Sequence, residues 1–64
     1  MFGSVSEFDA AAGLGLVTGE DGRSYRFQCI EIADGSRSIE VGRAVVFELL
    51  PRFGAFQAGA LHKL

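Results

Sequence analysis

Apolar and polar residues alternate in several short runs along the chain, and these runs predict β-strands. The clearest run covers residues 45–50, where Val45, Phe47 and Leu49 share one face of an extended strand. We expect Pro51 to end this strand because a proline has no backbone N–H to donate to a neighbouring strand. The other predicted strands cover residues 2–8, 14–18, 24–29 and 56–61.

Turn signals separate the predicted strands. Asp21-Gly22 and Phe53-Gly54 are typical of tight turns, and residues 33–38 are predicted to form a loop after a short helical turn at residues 30–32. Five short strands in 64 residues favour an all-β antiparallel barrel, because closing the sheet removes its exposed edges. We predict a single domain over residues 1–64.

The charge balance gives no general attraction to phosphate. The chain has eight acidic and six basic residues, a formal net charge of −2, so binding to nucleic acid requires a local basic patch. Cys29 is the single cysteine, which precludes an internal disulfide and favours a reducing, cytoplasmic location. The first residues lack the basic cluster and apolar run of a signal peptide, and no stretch is apolar enough to span a membrane.

The sequence contains no recognisable catalytic pattern. It has no catalytic triad and no paired carboxylates in a cleft-forming context, and His62 has no cysteine or acid at catalytic spacing. Neither Cys29 nor His62 belongs to a set of residues with metal-ligand spacing. We therefore expect no enzyme activity, no cofactor and no metal.

Several segments resemble the bacterial cold-shock proteins. Residues 3–17 are similar to the family's Gly-Lys-Val-Lys-Trp-Phe-Asn and Lys-Gly-Phe-Gly-Phe-Ile, and residues 25–32 to its Val-Phe-Val-His-Phe-Ser-Ala-Ile. Residues 45–48 match Val-x-Phe-Glu, and residues 57–61 resemble Gln-Ala-Ala-Asn-Val. The matches run in order along nearly the whole chain. The resemblance implies a five-stranded OB-fold barrel of cold-shock type that binds single-stranded RNA or DNA by stacking bases on aromatic side chains.

The departures from the family fall on the positions that meet nucleic acid. The strand-one tryptophan falls at Glu7, and the family's aromatic or histidine positions fall at Leu14, Leu16, Arg26, Gln28, Cys29 and Ser36; its lysines fall at Ser4, Ser6 and Ala12. In contrast, the positions that the family buries remain apolar: Val5, Val17, Tyr25, Phe27, Ile32, Val45, Phe47 and Leu61. The resemblance therefore implies a preserved core beneath an altered binding face.

Weak single-strand binding is the function that this pattern predicts. Each base–aromatic stack contributes about 1–3 kcal/mol, so losing several lowers affinity by orders of magnitude. The candidate nucleic-acid-binding residues are Phe8, Leu14, Leu16, Arg26, Gln28, Arg37 and Phe56. For most of them another role stays open. Phe8 can be a half-buried packing residue, Arg26 a partner of Glu7 or Asp9, and Phe56 with Phe53 a hydrophobic plug at the barrel end. Arg37 can be an ordinary surface charge, and Leu14 and Leu16 can be buried against the chain's own tail.

The alternative is a protein-interaction or self-association module that no longer binds nucleic acid. Leu14 and Leu16, if outward, form an apolar patch, and such patches often mark interaction sites. A carboxylate at Glu7 suits a protein partner better than a phosphate backbone. This interpretation predicts a homodimer or another protein partner through the Leu14/Leu16 face.

Overall fold

A computed structural model describes residues 1–52 and 54–64 of the chain. Its elements are β1 (Phe2–Asp9), β2 (Leu14–Gly19), β3 (Ser24–Gln28), a 3-10 turn (Cys29–Glu31), β4 (Ala44–Arg52) and β5 (Ala55–Lys63). The strands form one antiparallel sheet in the order β3-β2-β1-β4-β5. The predicted all-β, five-stranded antiparallel class is therefore confirmed, together with a short helical turn that begins one residue earlier than expected.

The two edge strands approach each other without forming a ladder. β5 packs against β3 and the 3-10 turn, but the only pairing found on this side in the described part of the chain is a parallel bridge between Ile32 and Leu61. The backbone N–H of Ala33 donates to the Leu61 carbonyl at 2.8 Å, and that of Ala60 donates to the Glu31 carboxylate at 3.1 Å. The hydrogen-bonded sheet is thus open, and the predicted barrel closure is not completed.

The β4–β5 hairpin is longer than the alternation pattern predicts. Pro51 does not end β4, which continues to Arg52, with Pro51 opposite Phe56 in β5. β1 pairs with β4 only through residues 44–46, so the later part of β4 has a hydrogen-bonded neighbour on one side only. A strand paired on one side tolerates a proline whose missing N–H faces the unpaired side. β5 likewise continues to Lys63, which pairs with Val45.

The core confirms the predicted inward positions. Val5, Val17, Tyr25, Phe27, Ile32, Val45, Phe47 and Leu61 are all buried, as is Ala58. Ile39 also joins this cluster, although it lies in the segment between the 3-10 turn and β4 and was not predicted as core. A single apolar residue in a loop has no periodicity that marks it as inward.

Among the residues that the structure describes, no helix is long and apolar enough to cross a membrane. The same residues contain no group of three or more side chains that could hold a metal ion.

Candidate functional site

Six outward side chains form an ordered face on the three neighbouring strands β1, β2 and β3. The strand register places Glu7 opposite Leu16 and Leu16 opposite Arg26. One step along the strands, Asp9 lies opposite Leu14 and Leu14 opposite Gln28. We call this the three-column face: an acidic column (Glu7, Asp9), an apolar column (Leu16, Leu14) and a column with Arg26 and Gln28.

A β-bulge in β1 puts the acidic column on this face. Val5 pairs with Val17 and Glu7 with Leu16, so β1 uses one residue more than β2 between the two pairs. In a regular strand, Val5 and Glu7 would point to the same side. The extra residue reverses the alternation, so Val5 is buried while Glu7 is exposed. The sequence carries a signal for this, because Val5 and Phe8 are both apolar at a spacing of three.

Beyond the bulge, Phe8 belongs to the inner side of the sheet. It lies opposite Gly15, which in turn lies opposite Phe27. The two phenylalanine rings stack above the glycine, with centroids 6.0 Å apart and planes inclined by 4°. A Cβ on Gly15 would meet the Phe27 ring at 2.5 Å, so only glycine fits beneath the stack. Phe8 is half-buried and packs on the core, which favours the packing role left open from the sequence.

The three-column face opens into a groove of about 670 Å³. This volume lies within the range of about 300–1,000 Å³ that is typical of ligand sites. Five of the seven sequence-predicted residues line the groove, namely Phe8, Leu14, Leu16, Arg26 and Gln28. Val41 and Gln57 also line it, and neither was predicted; they come from the segment before β4 and from β5.

The face carries both signs of charge but no ion pair. The two ion pairs among the described residues join Arg43 to Glu40 and Lys63 to Asp34. Arg26 is therefore exposed without the Glu7 or Asp9 partner considered from the sequence, since Leu16 separates it from the acidic column. The Asp9 carboxylate accepts from the backbone N–H groups of Ala11 and Ala12 and so stabilises the turn after β1.

Arg37 does not line the groove. It lies exposed in the segment between the 3-10 turn and β4, with a positive φ of 57°. The start of this segment is tied to the end of β5: the Lys63 ammonium contacts the Asp34 carboxylate at 2.9 Å and donates to the Ser36 hydroxyl. The Lys63 hydrogen bond, supported by hydrogen bonds from Ser36, lowers the pKa of Asp34 well below its ordinary value.

Phe56 is also separate from the three-column face. Its side chain is 57% exposed on the β4–β5 hairpin, where it borders a second, smaller groove with Pro51 and Arg52. The suggested partnership with Phe53 lies outside the described residues. Phe56 therefore does not line the groove that contains Leu14 and Leu16.

A side-chain contact fixes the turn between β2 and β3, at the end of these strands that lies away from Leu14 and Gln28. The buried Tyr25 ring directs its hydroxyl to the Asp21 carboxylate, which also accepts the backbone N–H of Arg23. These hydrogen bonds lower the pKa of Asp21, and the same contact raises the pKa of Tyr25. The contact stabilises the β2–β3 connection and so supports the register on which the three columns depend.

Cys29 does not extend the face. It is half-buried in the 3-10 turn, and its sulfur lies close to Gly13, where a Cβ would approach it to 2.9 Å. Cys29 is thus a partly buried residue that packs against the core.

Compared with known proteins, the sequence matches no protein-family model and no curated relative.

Proposed function

We propose that this chain is a small single-stranded nucleic-acid-binding protein of cold-shock type, with weak affinity, and that the three-column face contacts the ligand. The observation that carries this proposal is the meeting of Leu14, Leu16, Arg26 and Gln28 on two adjacent strands in one exposed groove. These are the positions where the resemblance expects a binding surface.

The proposal includes an OB-fold barrel. The approach of β5 to β3 and the parallel bridge between Ile32 and Leu61 bring the edges of the curved sheet together. The strand order has β1 at its centre, between β2 and β4, which suits a barrel whose first strand links two hairpins. A cytoplasmic location, favoured by the single free cysteine Cys29, belongs to the same proposal.

Each column has a distinct role in this proposal. Leu14, which is 52% exposed, and Leu16 offer apolar contact to the flat faces of unpaired bases. The Arg26 guanidinium stacks on a base or meets a phosphate. The Gln28 amide can donate to and accept from a base edge. No exposed tryptophan or phenylalanine lies in these three columns, so each contact is weaker than an aromatic stack.

The acidic column is expected to decide on which side of the face the backbone of a bound oligonucleotide lies, and to lower the affinity for that oligonucleotide. Glu7 and Asp9 repel phosphate, so the sugar-phosphate backbone is expected to run along β3, near Arg26. Bases then point across the leucines toward β1. The carboxylates can accept hydrogen bonds there from exocyclic amino groups or from ring N–H groups of the bases.

The test is a titration of fluorescently labelled single-stranded oligonucleotides, followed by anisotropy at low salt. We expect a weak rise that shrinks as salt is added, because Arg26 displaces counterions from the phosphates. The Arg26→Glu variant is expected to lose the rise. Arg23→Glu is the matched control, because it changes the net charge equally at an exposed turn position outside the groove.

Two results contradict the proposal. One is the absence of any rise at high micromolar protein and low salt. The other is an equal loss for Arg23→Glu and Arg26→Glu, which assigns the binding to net charge and not to the three-column face.

A further inference from the structure

The order of charges across the three-column face makes the face complementary to itself. The acidic column and the Arg26/Gln28 column lie on either side of the leucines, one strand away in each direction. Consider a twofold axis that runs parallel to β2 and lies in the plane of contact between two copies. Rotation about this axis places the acidic column of one copy on the Arg26/Gln28 column of the other. Leu14 and Leu16 then meet the same leucines of the other copy.

The residues that lie opposite one another on β1, β2 and β3 form a row across the face. The rotation does not move a row along the direction of β2. Glu7 of either copy faces Arg26 of the other, and Asp9 faces Gln28, so the contact repeats twice by symmetry. An arrangement that lays the acidic column on the acidic column brings carboxylates together and is repelled. We infer that two copies of this chain associate face to face through the three-column face, with the twofold axis along β2.

The size of the face predicts the strength of the association. Neighbouring strands are about 4.8 Å apart, so the three columns span only about 10 Å from side to side. Six side chains on so narrow a face cover much less than the roughly 800 Å² that each partner contributes to a standard stable interface. The expected dimer is therefore weak and depends on concentration, and it dissociates as salt screens the Glu7–Arg26 contacts.

The inference goes beyond the proposed function, because it needs no nucleic acid. It also predicts competition, since the same groove cannot hold a second copy and an oligonucleotide at once. Self-association then acts as a reversible cover for an apolar patch that is otherwise exposed to water.

The first test is sedimentation of the full chain, without nucleic acid, across the micromolar to low millimolar range. We expect a monomer–dimer equilibrium that Leu16→Asp removes, because the variant places two carboxylates in contact at the twofold axis. Leu64→Asp is the matched control: Leu64 is 60% exposed and lies beyond the end of β5, outside the groove, so its dimer is expected to persist. Circular dichroism checks that both variants fold. A monomer at every concentration overturns the inference, as does a dimer that only Leu64→Asp breaks.

A charge exchange tests the geometry without altering the leucines. Glu7→Arg puts cations on both sides of the leucines and Arg26→Glu puts anions on both, so each variant alone is expected to remain monomeric. An equimolar mixture is expected to form a heterodimer, with an association constant at least about tenfold above that of either variant alone. Both substitutions are at exposed positions. A mixture that sediments as two monomers contradicts the twofold arrangement.

The same variants separate this inference from the proposed function. Glu7→Arg is expected to weaken self-association and to strengthen oligonucleotide binding, because a carboxylate that repels the phosphates from across the face is replaced by a cation. Arg26→Glu is expected to weaken both. If the mixed variants do not form a heterodimer, the anisotropy result still stands. If no oligonucleotide binds, the sedimentation result still stands.

Discussion

The inner and outer faces of β1, β2 and β3 are built from the same strands but differ in what they require of each residue. On the inner face, Val5, Val17 and Phe27 are nearly free of solvent and pack on residues from β4 and β5. On the outer face, Leu16 and Arg26 lie opposite each other and line an open groove. Successive side chains of a strand point to opposite sides, so one face can keep its packing while the other changes its chemistry.

The resemblance follows the same division. The residues similar to cold-shock proteins cluster on the inner face, and the departures cluster on the outer one. A core position tolerates little change in volume because the interior is close-packed. An outer position is constrained mainly by what it binds. The inner face therefore keeps the packing of the fold, whereas the outer face can change its chemistry without disturbing that packing.

The largest expected effect is on stability, and it compares an inner-face residue with its outer-face neighbour in the chain. Phe27→Ala removes a fully buried ring and is expected to lower the free energy of unfolding by about 3–5 kcal/mol. That loss is comparable to the entire stability of a domain this small. Gln28→Ala, one residue further on the outer face, is expected to change it by less than about 0.5 kcal/mol. Urea unfolding followed by circular dichroism measures both, and equal losses break the distinction between the faces.

A second substitution tests the row of Phe8, Gly15 and Phe27. Gly15→Ala places a methyl group 2.5 Å from the Phe27 ring and 2.8 Å from the Glu7 carbonyl oxygen. We expect it to lower the free energy of unfolding by about 1–3 kcal/mol through overpacking. Leu14→Ala, at the adjacent outward position, serves as the control and is expected to cost much less. If Gly15→Ala unfolds at the same urea concentration as the wild type, the rings can move aside, and the stack does not require glycine at position 15.

A third change concerns binding and is expected to leave stability nearly unchanged. Glu7→Gln with Asp9→Asn keeps the shape of both side chains, and the asparagine still accepts the turn N–H groups of Ala11 and Ala12. In water, a carboxylate and a phosphate at about twice their contact distance repel each other by about 0.5 kcal/mol. Because the double variant removes two carboxylates, we expect roughly fivefold tighter oligonucleotide binding at low salt. Anisotropy titration gives the ratio. Unchanged affinity would mean that the acidic column does not limit oligonucleotide binding.

The smallest expected effect concerns acid. The pKa of Asp34 is lowered by Lys63, so this carboxylate contributes stability above its ordinary pKa and loses that contribution as the pH falls below about 4. The core contributes no matching acid-dependent effect, because no carboxylate is buried among the described residues. Lys63→Met is expected to weaken the acid-dependent decline in melting temperature. A decline identical to wild type assigns the acid sensitivity to other carboxylates, with Asp21 the next candidate.

Much of the inner face follows from local pattern. The positions of the five strands, the inward set from Val5 to Leu61 and the turn at Asp21-Gly22 can all be read from alternation and turn residues. Ile39 could not be read in this way, because burial in a loop depends on what the loop folds against. Pro51 misled the prediction for a similar reason, since a proline ends a strand only where its N–H would have been paired.

The candidate site needed more than pattern. Leu14, Leu16, Arg26 and Gln28 meet because β2 and β3 form a hairpin with fixed register, which a sequence can suggest. Arg37 and Phe56 fall outside the groove because they belong to segments whose placement depends on distant contacts, such as the attachment of Asp34 to Lys63.

By itself, the sequence determined where strands begin and which side chains point inward, because both depend on steric preferences that repeat every two residues. Only the tertiary structure decided that three strands align an acidic column, an apolar column and a column with Arg26 and Gln28. It also decided that the edges of β3 and β5 approach without a ladder. These features depend on pairings between residues far apart in the chain. A shift of one residue in any pairing exchanges the two faces, and no local preference records that choice.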